Sequence, residues 1–537
     1  MLLSKHFTLI IDNDIISLWK EKKMKEKVSN FLLENLSIEE KIGQMLMFAF
    51  HGTEYNEQLD YQLKKLHVGG IIHFARNISD DIELVKKLNE DIQKGSKYPV
   101  FIGVDQEGGM VTRIANITPF PGAMTLSATQ SDITDICYYE ANDLKRLGFN
   151  MNFAPVADVN NNPLNPVISS RSYSDDPKTV AKYVIEAYKG FEKAGVLATL
   201  KHFPGHGDVS VDSHLSMPYV SKDINELEKV ELFPFKEAIK SGVSGIMAAH
   251  ILYKSFDEKY PATLSKKIIK EYLREKLGYD GLVITDSLTM GAIQANFSTA
   301  EIIENCVNAG VDIMMFCGKA DLDGQIEVYN TFLDLVKSGK IKEETVNEAV
   351  GRIIKLKEKY VNNKYIATNS NALKKMAKEL FEKSPTIVKN SMDISISENE
   401  KVLIIFPKVR LLTLVDNETS EYKTLGTYLN GADEIIIDED FENFEFLVQK
   451  VNKYDKIIMA TLNVKAKDYQ VKVFSCLSNV VEKTIVVSLR SPYDAMFLKG
   501  IKNYICLYEI TKWSLESLAI CLKNGRFLGK LPIKLEE

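Results

Sequence analysis

The densest chemistry in the sequence lies between Lys201 and His214, where KHFPGHGDVSVDSH packs a lysine, three histidines and two aspartates into one short segment. A histidine can release a proton in one step and take one up in the next, because its pKa lies near neutral pH. Asp212 stands two residues before His214, near enough for a turn to set its carboxylate against the imidazole and stabilise the cation. His202, His206, Asp208, Asp212 and His214 are equally of metal-ligand type. However, the step from His202 to His206 crosses Pro204 and Gly205, which argues against a helical ligand pair, so no metal and no other cofactor is expected. Gly205 and Gly207 are expected to leave the loop free to close over a bound molecule and reopen, in preference to a rigid turn.

Other polar residues stand just after apolar runs. Asp105 and Arg113 lie in DQEGGMVTR, Asp158 precedes Arg171 in SSRSY, and His250 and Asp286 each end a run. Taken singly, a strand-end aspartate often caps the next helix and a lone histidine is usually a satisfied core residue. Their recurrence at successive run ends implies a shared site.

The elements that would position them are eight apolar runs at 45–50, 70–75, 100–105, 151–159, 197–203, 245–251, 281–287 and 312–317, most separated by helix-period segments. Eight β/α units in about 300 residues predict a closed (β/α)8 barrel, whose active site lies where the βα loops converge at the carboxyl ends of the strands. Five further runs, KVLIIFP, DEIIIDE, KIIMATL, KTIVVSLR and NYICLYE, predict a smaller α/β layered sandwich domain. The expected organisation is an N-terminal extension at 1–30, the barrel at 31–360, a linker at 361–398 and the second domain at 399–537.

Composition narrows the function classes. A chain of 537 residues exceeds one ordinary core, and 45% hydrophobic with 26% charged residues is a globular composition. A net charge of −6 without a basic patch gives no reason to expect nucleic acid. No apolar run approaches the roughly 20 residues of a membrane span. Asp12 and Asp14 interrupt the greasy start, so a secretory signal is not expected, and Met24 reads like an ordinary domain start. The six cysteines show no CxxC spacing and read as buried thiols of a reducing, cytoplasmic compartment.

Four segments in matching order, GVDQEGG with a following arginine, RSYSDDP, KHFPGHGDVSVDSH and ITDSLTMGAI, closely resemble the signatures of the glycoside hydrolase family 3 β-N-acetylglucosaminidases. The resemblance is strong over about residues 35–320 and covers the second domain only in layout. It implies that Asp286 is a nucleophile, that Asp212 and His214 form an acid/base dyad, and that Asp105, Arg113, Arg171, Lys201 and His202 contact sugar. It further implies hydrolysis of terminal β-linked N-acetylglucosamine with retention, muropeptides being one such substrate.

Three departures stand out: Met110 where an arginine is commoner, Val209 for a frequent threonine, and Tyr173–Ser174 for a Phe-Gly pair. Met110 is expected to alter a contact at the pocket edge. A phosphorylase is the second reading, because a neutral imidazole repels phosphate less than a carboxylate base does. β-Glucosidase activity is less favoured around the DSH segment. A non-catalytic sugar-binding protein would have lost the nucleophile or dyad, and all three residues are present. A monomer and a homodimer remain equally open.

Overall fold

The computed structural model describes residues 33–209, 217–318, 321–361, 370–409, 416 and 423–535. Eight parallel strands close a barrel: β1 (Leu46–Phe48), β2 (Gly70–His73), β3 (Phe101–Val104), β4 (Met151–Asn152), β5 (Leu197–Phe203), β6 (Gly245–Ala248), β7 (Leu282–Ser287) and β8 (Ile313–Phe316). Each pairs with its neighbours in sequence, and β1 pairs with β8. Nearly every strand residue is buried, as in a sheet covered on both faces.

Helix ends feed the chain back into the barrel. In Pro177–Ala194, Asp176 caps the Thr179 amide at 2.9 Å, proline takes the first turn, and Gly195 at φ 74° ends the helix two residues before β5. In Thr299–Ala309, a Ser298–Glu301 capping box starts the helix and Gly310 at φ 93° stops it ahead of β8.

The amino end of the barrel is tied by charge. Asp312, fully buried, accepts from Arg274 Nη2, Arg352 Nε and the Val283 amide, each at 2.7 Å. Lys357 reaches in from the last barrel helix, Glu343–Tyr360, and donates to Gln44 Oε1 at 2.7 Å, with its ammonium 5.4 Å from the centre of the Phe101 ring. Burial pushes its pKa down to about 7.

The second domain is one six-stranded sheet: β9 (Thr386–Lys389), β10 (Val402–Pro407), β11 (Asp433–Ile437), β12 (Lys456–Thr461), β13 (Thr484–Ser488) and β14 (Asn503–Cys506), in the order β9-β14-β13-β12-β10-β11. All pairs are parallel except β9 with β14. This corrects the linker expected at 361–398. Within it lie the helix Ser370–Lys383 and β9, whose antiparallel pairing with β14 makes it part of the second sheet.

The two domains are locked together. Glu509 accepts from the Gly122 amide at 2.7 Å and Thr125 Oγ1 at 2.6 Å; the Lys530 amide donates to Ala128 O at 2.8 Å and the Lys534 amide to Asp175 Oδ2 at 2.7 Å. Ser174 Oγ donates to Pro532 O. Met110 belongs to a hydrophobic cluster whose other buried members are second-domain residues, and it does not line the cavity that holds Asp286, so its place is the domain interface and not the pocket edge expected from the sequence. No helix among the described residues is long and apolar enough to cross a membrane.

Lys357 gives a stability test. Its folded pKa is depressed, so between about pH 7 and its ordinary value the unfolded chain binds the extra proton and stability rises with pH. In the Lys357→Met variant that rise is expected to disappear. Denaturant unfolding should show wild type gaining on the variant by about 1 kcal/mol per pH unit across that window.

Candidate active site

The site is assembled from the carboxyl ends of the strands. After β3 the chain turns through a small hairpin, Gln106–Gly108 against Val111–Thr112. Gln106 pins it to β4: its amide donates to Asn152 Oδ1 at 3.0 Å and its carbonyl accepts from Asn152 Nδ2 at 2.8 Å. Gly108 at φ 87° and Gly109 at φ 56° make the turn, and a Cβ on Gly109 would stand 2.9 Å from Gly122 Cα, so only glycine fits there.

This hairpin presents Glu107, which organises the floor of the site. Its carboxylate takes both Nε and Nη2 of Arg171 at 2.8 Å and Lys201 Nζ at 2.6 Å, with all three side chains 7% exposed or less. Lys201 Nζ also binds Asp105 Oδ1 at 2.8 Å. Burial opposes the charge on Glu107, but Arg171 and Lys201 outweigh it and hold the carboxyl well below the usual range. For Lys201 burial likewise favours the neutral form, and Asp105 and Glu107 reverse it, raising the ammonium's pKa. The guanidinium of Arg171 therefore spends one edge on Glu107 and bonds Val167 O through Nη1 at 3.3 Å, leaving part of its donor set for a ligand.

A second buried carboxylate anchors the histidine loop. Asp158, fully buried, faces His202 Nδ1 at 2.7 Å and accepts the amides of His202 at 3.1 Å and His206 at 2.6 Å. Burial resists its ionisation, yet the charge and hydrogen bonds of His202 keep its pKa below the ordinary value. Burial and the neighbouring His202 push His206 down to about 4, a neutral ring at physiological pH. Asn165 Nδ2 donates to the carbonyls of His206 at 2.8 Å and Gly207 at 3.0 Å, and Tyr253 donates to Gly205 O. Gly205 sits at φ 136° against Glu231, and a Cβ on Gly207 would stand 1.6 Å from Val159 O. These glycines allow close packing at the root of the loop; residues 210–216 of the loop, expected to close over a bound molecule, lie outside the described residues. Asp208 pairs with Lys222 at 3.0 Å. Among the described residues no group of three His, Cys, Asp or Glu side chains is placed to hold a metal ion.

Asp286 stands near the end of β7, its Oδ1 accepting the Ser287 amide at 2.7 Å. His250 faces Thr263 Oγ1 through Nδ1 at 2.8 Å and Ser287 O through Nε2 at 2.9 Å. A carbonyl can only accept, so Nε2 carries a proton and steadies the residue beside Asp286.

Asp286, Asp105, Arg113, Arg171, Lys201 and His202 all line one cavity of about 630 Å³, so six of the residues singled out in the sequence are brought together. Asp212 and His214 lie outside the described residues. The cavity also takes in Glu107, His206 and Asp416, which the sequence reading did not assign to the site. Glu107 had a signal: in an extended segment it is two residues from Asp105 and shares its face. Asp416 had none. It comes from the second domain, gripped by the fully buried Arg490 at 2.7 and 3.1 Å.

A carboxylate at a strand end, facing a pocket of fixed cations and acceptors, can attack an electrophilic carbon while hydroxyl groups are held around it. Known proteins resemble the chain in both sequence and fold. Residues 37–356 match the glycosyl hydrolase family 3 N terminal domain. The chain is 31% identical over 506 residues to the beta-hexosaminidase A of Pseudoalteromonas piscicida, covering 84% of this chain and 85% of that protein. It is 34% identical over 285 residues to the beta-hexosaminidase of Nitrosomonas eutropha, covering 51% and 81%. A family 3 beta-N-acetylglucosaminidase structure from Paenibacillus sp. str. FPU-7 superposes with a TM-score of 0.87 at 34% identity, covering 93% of this chain and 99% of that one.

Removing Glu107 should unbalance two buried cations. Glu107→Ala is expected to lose about 3–5 kcal/mol of unfolding free energy, and Glu107→Gln less, as measured by denaturant titration.

Proposed function

This chain belongs to glycosyl hydrolase family 3 and is a glycoside hydrolase, and from that premise we propose that it is an exo-acting, retaining β-N-acetylglucosaminidase. The observation that supports the reading is the shared cavity: Asp286, near the end of β7, lines the same pocket as the Asp105–Lys201–Glu107–Arg171 ion network.

In this reading a terminal sugar enters non-reducing end first and its hydroxyl and acetamido groups meet Lys201, Asp105, Arg113, Arg171 and His202. The carboxylate of Asp286 attacks the anomeric carbon, and the bond to the leaving oxygen breaks as that oxygen takes a proton from His214. Asp212 orients the imidazole and stabilises its charge. The neutral His214 then draws a proton from water, whose oxygen displaces Asp286 from the anomeric carbon. Holding Lys201 and Arg171 on a buried carboxylate fixes their donors before substrate arrives, so little reorganisation is left for the transition state. The physiological substrates under this proposal are N-acetylglucosaminides of the muropeptide type, met in a reducing, cytoplasmic compartment. The six cysteines, none of them disulfide-bonded, accord with such a compartment.

The test is a comparison of nitrophenyl glycosides. The N-acetyl-β-glucosaminide is expected to be cleaved with at least a hundredfold higher kcat/KM than the β-glucoside, releasing free sugar whether or not phosphate is present. Sugar 1-phosphate as the main product, or equal rates on both glycosides, would refute the proposal. His214→Ala is expected to lower kcat by roughly 10²–10⁴-fold on substrates with poor leaving groups and much less on nitrophenyl substrates. Turnover is expected to survive excess chelator.

A further inference from the structure

A second cavity, of about 680 Å³, lies between the barrel loop around Asn165 and the second domain. Its second-domain wall sits beyond the carboxyl ends of four parallel strands: Lys408 follows β10, Asp438 follows β11, Asn463 follows β12 and Ser491 lies just after β13. β10 is flanked by β11 on one side and β12 on the other, so the chain reverses its direction of sheet growth there. In open parallel sheets that reversal opens a crevice at the carboxyl ends, and it is where such sheets bind small molecules.

The loop after β12 is built for a ligand. On one side Gln470 clamps it: Oε1 accepts the Leu462 amide at 2.9 Å and Nε2 donates to Leu462 O at 3.0 Å. On the other side Asp494, buried, accepts Thr461 Oγ1 at 2.7 Å and the Val464 amide at 2.9 Å. Between the clamps Asn463 is held at φ 46°, a left-handed conformation uncommon outside glycine. Its Oδ1 is buried and has no hydrogen-bond partner among the described residues. A residue held in a strained conformation from both sides at a cavity wall is the kind of outlier that marks a binding site.

The lining selects the ligand class. Asp438, Glu439 and Asp468 outnumber Lys408 and Lys465, so a phosphate or other anion is disfavoured. Tyr469, Tyr493 and Phe497 add aromatic surface beside these acceptors. Aromatic rings with surplus acceptors suit a neutral molecule that has both C–H faces and many hydroxyl donors. We propose that this interdomain cavity is a second, non-catalytic carbohydrate site, taking a short neutral oligosaccharide. The choice of an N-acetylated sugar to test it rests on the function proposed above; the site itself does not.

The experiment is a calorimetric titration of the full chain carrying Asp286→Asn with chitotriose, repeated with Asn463→Gly or Ala466→Trp added. Asn463→Gly removes a side chain from the cavity wall while tolerating the backbone conformation, and Ala466→Trp fills the cavity from an exposed position. Unfolding midpoints matching the parent verify that both variants fold. Two sites per chain are expected in the parent, with one weakened at least tenfold in each variant. A single site abolished by both variants would still support the proposal while counting against the proposed catalytic specificity. A single site indifferent to both variants, two sites that persist unchanged in them, or no binding would overturn it.

Discussion

The buried carboxylate of Glu107 is the constraint on which the cavity at the carboxyl ends of the barrel strands depends. Two cations, Arg171 and Lys201, converge on it from different βα units, and without it their charges would repel one another in a medium that screens poorly. With it, the guanidinium and ammonium become fixed donors and Asp105 is held at their edge. Desolvating three charges is costly, and the geometry offsets that cost through a two-pronged arginine bond and a bridging ammonium. The result is a preorganised polar floor in the cavity that Asp286 also lines.

That floor is set from outside the barrel as well. Glu107 rides on a glycine turn pressed against Gly122, and Gly122 is held by Glu509 from the second domain. Burial raises the pKa of Glu509, while its bonds to Thr125 and Gly122 work the other way. Asp416, gripped by Arg490, completes the cavity wall from the same domain. The second domain is thus part of the site's scaffold: it seats the turn that carries the central carboxylate and contributes an acidic side chain of its own.

Much of this was legible in the sequence because it depends on local pattern. All eight apolar runs of the first part contain a barrel strand, since strands buried on both faces must be continuously apolar. The run at 151–159 overshoots β4, which is continuous only over Met151–Asn152; Pro155 has no amide to give the ladder, and beyond it the chain rejoins β5 through a bridge from Val156 to Lys201. β9 was missed for the opposite reason: TIVK is a short edge strand in a polar stretch, and only its partner β14 makes it a strand. The cavity residues, and Asp158 beside them, were found as strand-end polar groups, but the bonds through which Glu107 and Asp158 charge and orient their partners depend on contacts across the fold, as does the place of Asp416 in the cavity wall. His73 shows the other side of that rule: buried between Phe50 and Phe149, with its pKa pushed down to about 3 by burial, it is a core side chain.

The central claim is that this prepared pocket delivers a sugar to Asp286 for covalent attack. The most direct measurement is intact-mass and peptide analysis of the enzyme after reaction with an activated 5-fluoro N-acetylglucosaminyl fluoride, whose glycosyl-enzyme hydrolyses slowly. The account predicts one sugar per chain, on the peptide containing Asp286. Continued turnover with no label, or a label on another residue, would contradict it.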